Sequence, residues 1–201
     1  MFFPLTRQLT RPTALPLTLA EAAAQLRIPL DETSQDASMM TEVAYVQDLL
    51  RACAEWWEAG TDTALMRAEY VTVYAGFGSE LRGLKTPVGE LLSLTYATDA
   101  DVNTAGLTTD YQLSEGRPGV ALYTLSTDFP DLRRGYAEPV RVRYTAGYAT
   151  PEDVPALIKQ AIRLTLAHWY ENRQNVVVGL NIAEVPQTAV SILKQFRDPV
   201  L

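Results

Sequence analysis

Side chains of the kinds that carry reactions are few in this sequence, and they are scattered. Its 201 residues contain one histidine, His168, and one cysteine, Cys53. A hydrolase triad or a histidine acid–base pair needs the imidazole beside a nucleophile or a carboxylate, and on its own helix His168 has only Thr165 and Glu171 in reach. A lone histidine on the apolar side of a helix is more often a hydrogen-bonded packing residue. One cysteine, no CxxC and no HExxH leave no disulfide framework and no zinc-ligand spacing. Gly76, Phe77 and Gly78 resemble a nucleotide loop superficially, but Leu81 occupies the place of a third glycine and no βαβ pattern surrounds it, so a turn is expected. GLKT at Gly83 lacks the first half of a phosphate-binding loop, which makes Lys85 a solvated strand residue. Asp99, Asp101 and Asp110 cluster near a hairpin tip without the spacing of an EF-hand, and read as a polar turn. The expectation is therefore no catalytic residue, no metal and no cofactor.

Two groups remain that suit binding rather than chemistry. Arg133, Arg134, Arg141 and Arg143 have the charge to touch phosphate. In a chain of formal charge −7, however, the better reading is salt bridges between subunits. Trp56, Trp57 and Trp169 stand at core spacing on helices, whereas Phe129, Tyr144 and Tyr148 flank turns, where partial exposure is expected.

The elements that must position these residues are patterned clearly. At about 100° per residue, the stretch 153–173 gathers Leu157, Ile158, Ala161, Ile162, His168 and Trp169 on one apolar arc, predicted to be core, and leaves Lys159, Arg163 and Glu171 for water or a polar partner. TPED ahead of it allows two starts: Thr150 as cap with Pro151 first in the helix, or Asp153 capping ahead of Pro155. Thr18 with Glu21 forms a capping box for a helix over 18–28, and a second helix over 38–59 stops at Gly60. From Thr63 the period becomes two, predicting a long first strand, then strands at 83–86, 91–97, 108–114, 120–125 and 140–144 separated by Gly and Pro turns. Residues 1–16, with Pro4, Pro12 and Pro16, read as an extended arm lying along a surface. A last amphipathic piece over 187–197 brings Val190, Leu193, Lys194 and Arg197 within helical reach of one another.

These elements predict an α+β chain: a small helical bundle (18–28, 38–59, 153–173) with an antiparallel β-rich insert at 63–146 and a C-terminal docking segment. By domains this is an arm at 1–17, a main domain at 18–174 and a C-terminal arm with a short helix at 175–201. An apolar share of 47% against 20% charged residues suits a folded core and argues against wholesale disorder. The prolines near the start interrupt any signal-length apolar run, and no stretch reaches the ~18–20 apolar residues of a membrane helix, so cytosolic folding without a membrane is the expectation.

The order of the motifs resembles a known family. LTLAEAAAQLRI, an acidic link, a long helix ending in a turn, TPVGELLSLTYATDAD, DYQLSEGRPGVALY, DFP and VRVRYTAGYATPEDVPALIKQAIRLTLAHWYENR together are similar to the head–tail connector (adaptor) proteins of long-tailed bacteriophages and gene transfer agents. The sharpest matches are VRYTAGY at 142–148 and HWYENR at 168–173; Phe129-Pro130 stands where many relatives have Trp-Pro. The resemblance implies a non-enzymatic ring, commonly of twelve copies, in the neck of a virion assembled in a bacterial cytoplasm. Its implied partners are a portal protein above and a stopper or tail-terminator protein below, with double-stranded DNA passing through unbound. It implies portal docking for Val185, Val190, Leu193, Lys194, Phe196 and Arg197, and a channel-rim or distal role for the hairpins at 76–82 and 98–106. A small enzyme using His168 and a non-viral protein-binding adaptor are the alternatives.

Overall fold

The computed structural model describes residues 4–78, 80–106, 111–114, 121–124, 129–172 and 186–196. These fall into two compact units, one helical (from 13–66 and 149–196) and one of strands (from 4–12 and 67–148).

In the helical unit, Thr18 starts α1 (Leu19–Leu26) with the expected capping box: its Oγ1 accepts from the Glu21 N–H at 3.2 Å, and its own N–H donates to Glu21 Oε2 at 2.9 Å. Arg27 ends it in the left-handed conformation, φ 57°. Asp36 caps α2 (Ala37–Thr61), which buries Val43, Val46, Leu50, Cys53 and Trp57 at helical spacing. The helix does not stop at Gly60. It runs to Thr61 with Asp62 as its left-handed cap, and Gly60 serves close packing instead, since a Cβ there would lie 2.6 Å from Leu193 Cδ1. Ala64, Leu65 and Met66 are buried, and the Leu65 N–H donates to Glu58 Oε1 at 2.7 Å; strand structure begins only at Ala68, later than the alternating pattern from Thr63 suggests.

In the TPED motif Thr150 precedes a short 3-10 turn and not the long helix, and Asp153 reaches back to Thr150 rather than capping ahead of Pro155. Thr150 donates from both N and Oγ1 to Asp153 Oδ2 around a single 3-10 turn, Pro151–Asp153, and α3 (Ala156–Glu171) begins after Pro155. Its buried stripe is Ile158, Ala161, Ile162, Thr165 and Leu166, narrower than the predicted arc. Leu157, predicted as core, is 44% exposed, and His168 and Trp169 are half-buried, because the packed stripe is centred on Ile158 and Ile162 and these three flank it. α4 (Gln187–Phe196) lies against both α2 and α3, burying Ala189, Ile192 and Leu193.

In the strand unit, β1 (Leu5–Gln8), β2 (Ala68–Tyr74), β4 (Val88–Tyr96), β5 (Thr104–Gly106) and β8 (Val140–Ala146) form an antiparallel sheet in the order β1-β2-β8-β4-β5. A smaller sheet runs β3-β7-β6, from β3 (Glu80–Arg82), β6 (Tyr111–Ser114) and β7 (Ala121–Thr124). The expected N-terminal arm is thus an edge strand, a position where nearby prolines cost no ladder hydrogen bond. The expected strand at 83–86 is replaced by β3 just before it, because Gly83 turns the chain at φ +87°.

Side chains opposite one another across the large sheet share a face. Thr6, Thr72, Val142 and Leu94 form one such row, with Tyr70 and Tyr144 stacked beside it at 6.0 Å. A chain of hydrogen bonds crosses this side. The Lys85 N–H donates to Tyr144 Oη (2.8 Å), which meets Thr72 Oγ1 (3.1 Å), then Thr6 Oγ1 (2.8 Å), which donates to the Gly83 carbonyl (3.3 Å). Tyr144 is fully buried, contrary to its expected exposure beside a turn, because its hydroxyl is held in this chain.

Gly83 closes that chain, and its position admits no side chain: besides the positive φ, a Cβ would lie 2.8 Å from Pro4 Cγ. Gly83→Ala is expected to lower stability by about 1–3 kcal/mol in urea titrations.

Candidate interaction surfaces

The opposite face of the large sheet carries its charge. Antiparallel register places Arg7, Val71, Arg143 and Ser93 in one row, and Leu5, Val73, Arg141, Thr95 and Ala105 in the next. The alternation in VRVRY therefore sends Val140, Val142 and Tyr144 inward and Arg141 and Arg143 outward. Arg7, Val71, Arg143, Ser93, Arg141 and Thr95 of these rows, with Leu9, Asn103 and Glu138, line a cleft of about 350 Å³.

Each arginine in the cleft has a partner in its own chain. Arg143 Nη2 lies 2.6 Å from Glu69 Oε2, and Arg7 Nη2 lies 2.7 Å from Glu138 Oε1, with both guanidinium side chains about half exposed. Arg141 Nη2 donates to the Val102 carbonyl and to Asn103 Oδ1, both at 2.5 Å, which holds the β4–β5 hairpin tip against the sheet. Arg141 Nε is buried and has no acceptor among the described residues. Of the four arginines singled out from sequence, Arg141 and Arg143 are thus brought together, each with a partner in its own chain. Arg133 and Arg134 are exposed, and no ion pair among the described residues includes either. Sequence reading missed Arg7, Glu69 and Glu138; the alternation in LTRQL and AEYVTVY was the available signal for the first two.

A second charged cluster lies in the helical unit. Lys159 Nζ (3.1 Å) and Arg163 Nη2 (2.7 Å) both donate to Glu21 Oε1, while Oε2 takes the Thr18 N–H. Burial pushes the Glu21 carboxyl up, but the Thr18 hydrogen bond and the two cations outweigh it and leave it below its ordinary value. The polar side of α3 is therefore partly committed to α1 rather than to water.

The residues assigned by resemblance to docking divide. Leu193 is buried and Phe196 packs on Trp57 with ring centroids 5.6 Å apart, so both face their own helices. That is the ordinary outcome for the apolar stripe of a short amphipathic helix with two helices beside it. Val190 is half-buried, Lys194 is exposed, and Val185 and Arg197 lie outside the described residues. At one end of the sheet Phe77 stacks on Phe129 (5.0 Å, 10° between planes) and meets Tyr96 edge-on at 5.5 Å, with Phe129 37% exposed.

His168 sits at the end of α3, where Asn172 Nδ2 donates to its carbonyl at 2.8 Å and approaches Nδ1 at 3.4 Å. Burial pushes the Cys53 thiol up to about 12, so it stays protonated. Among the described residues, no three His, Cys, Asp or Glu side chains are grouped to hold a metal ion, and no helix is long and apolar enough to cross a membrane. Asp101, read from sequence as part of a polar turn, accepts the Asn103 N–H at 3.0 Å within a turn; Asp110 lies outside the described residues.

No family model and no curated protein sequence matches this chain. Solved structures do. A chain in the neck of the empty gene transfer agent particle, computed with C6 symmetry, superposes with a TM-score of 0.78 at 22% identity. One in the neck of the native particle, computed with C12 symmetry, gives 0.73 at 21%, and one in the virion of the native particle gives 0.76 at 21%. Each match covers 98% of this chain and 97% of the other. Over nearly its whole length, the chain therefore has the fold of a chain found in the neck of gene transfer agent particles.

Proposed function

We propose that this protein is a structural component of the neck of a gene transfer agent or related phage-like particle, where it acts as a non-enzymatic head–tail connector. The observation that carries this reading is end-to-end likeness to neck chains, 98% of this chain on 97% of theirs, in assemblies with sixfold and twelvefold symmetry. The ordered motif series in the sequence points the same way. Twelve copies form a ring below the portal protein, the ring extends the DNA channel, and its far side is the platform for a stopper or tail-terminator protein. A ring of identical copies requires a heterologous interface that closes by rotation. Twelve copies carry about −84 in net charge, which disfavours adhesion of a phosphate backbone and lets DNA pass. Lys194 and the rest of the exposed side of α4 are the portal-facing candidates within the described residues, together with Val185 and Arg197.

Deleting the gene from a producing strain tests the role. The expected products are DNA-filled heads without tails, counted by negative-stain microscopy, with tails restored when the gene is supplied in trans. Normal numbers of tailed particles in the deletion strain would refute it.

A further inference from the structure

We infer that the arginine-bearing face of the large sheet receives the acidic link between α1 and α2 of a neighbouring copy. This inference rests on the ring reading and names the surfaces that close the ring.

The receiving face is cationic and apolar together. Arg7 and Arg143 stand at the rim of the cleft, each half exposed and each using one nitrogen on an intrachain carboxylate, Glu138 or Glu69. A guanidinium has five N–H donors, so both keep donors for a second carboxylate. Beside Arg7, Leu5 and Leu9 are 58% and 47% exposed, so the rim also offers uncovered apolar area. A duplex backbone is the poorer occupant. A recess of about 350 Å³ accommodates side chains rather than a helix of DNA.

The chain supplies the complementary segment itself. Asp31, Glu32 and Asp36 are exposed within six residues, Leu30 precedes them half-buried, and no Lys or Arg occurs between Arg27 and Arg51. The link is already shaped: Asp31 Oδ1 accepts the Thr33 N–H and hydroxyl at 2.8 and 2.7 Å, and Asp36 caps α2. Ordering entropy on association is correspondingly small. Among the described residues, the exposed acidic stretch Asp99 to Asp101 belongs to the hairpin that Arg141 already holds on its own sheet, and in the exposed pair Glu152 and Asp153 the second carboxylate is engaged by Thr150. Face and link are different surfaces of one chain, which is the heterologous arrangement a ring needs.

Charge exchange in assembled particles tests the pairing. The double variant Arg7→Glu with Arg143→Glu, and separately Asp31→Lys with Glu32→Lys, should each reduce incorporation into purified particles by at least about tenfold, because each sets like charges against each other. Circular dichroism of the purified variants should stay close to wild type, with melting lowered modestly in the arginine pair, where Glu138 and Glu69 then face like charges in their own chain. Combining all four substitutions should restore incorporation to within about threefold of wild type, since the opposed charges are matched again. A position-specific check uses Arg143→Cys with Glu32→Cys, clean because Cys53 is buried: oxidised particles should give a ladder of cross-linked multimers.

Normal incorporation of either charge variant, loss without restoration in the combined protein, or no cross-linked ladder would overturn the inference. So would arginine variants that assemble fully but release packaged DNA, which would assign the face to nucleic acid. Absence of the wild-type protein from particles would instead refute the connector role, so the two failures are distinguishable.

Discussion

Trp57→Ala is expected to lower the unfolding free energy by about 3–5 kcal/mol, the largest effect of any single truncation in the helical unit. Trp57 has no exposed surface, and its ring is what Phe196 of α4 packs on. Small domains have only about 5–15 kcal/mol in total, so the loss approaches half of it. The size of the cavity is one reason and the release of α4 is the other. Urea titration should show the drop, and hydrogen exchange at Gln187–Phe196 should accelerate by more than exchange in α1. Trp57→Phe separates the contributions. It keeps a ring for Phe196 and removes the indole N–H, which is buried without an acceptor among the described residues. That change should cost less than about 2 kcal/mol, because an unsatisfied donor disappears with the lost volume. Equal losses for Ala and Phe would mean that the aromatic contact contributes nothing.

Glu21→Gln is expected to remove about 1–3 kcal/mol at neutral pH, and that difference should vanish in acid. The carboxylate caps α1 and accepts from Lys159 and Arg163, all three side chains being partly buried. Glutamine leaves two cations beside one another with a single neutral acceptor. The pH dependence has a defined sign. The folded-state pKa of Glu21 lies below its ordinary value of 4.5, so its charge-dependent stabilisation is fully present above 4.5 and is lost as pH falls through the lower folded value. Parallel urea titrations of wild type and Glu21→Gln from pH 7 downward should therefore run at a constant separation and converge only below about 4.5. A separation that grew on acidification would contradict the account.

The legible parts of this fold were those that local chemistry dictates. Thr18 with Glu21 forms a capping box from residues three apart, and the stripe from Val43 to Trp57 is carried by one helix's own period. The α+β class followed from the switch of period near residue 63, and the structure bears it out with four α-helices and a five-stranded antiparallel sheet among the described residues. What misled was mostly the context set by distant residues. Gly60 reads as a stop by its backbone freedom, yet Leu193, more than 130 residues away, makes its missing side chain a packing feature. Leu157 falls on the apolar arc of α3, but packing on that helix is centred elsewhere. Arg141 and Arg143 were visible as a pair, whereas their partners Glu69, Val102 and Asn103 depend on strand order, which no local period encodes. Arg7 could not be placed beside them until residues 5–8 were known to be a strand.

The same distinction applies to function. No residue cluster in the sequence names a reaction, and the described structure assembles its polar side chains into caps, latches and ion pairs. Its informative features are surfaces: a charged sheet face, an aromatic end at Phe77 and Phe129, and an acidic link.

A reconstruction of the neck from purified particles tests the central claim most directly. The account predicts a ring of twelve copies of this chain around the channel, between the portal and the first tail component, with the density fitted by the two units described here. Particles whose neck contains no density for this chain, or from which mass spectrometry finds it missing, would contradict it.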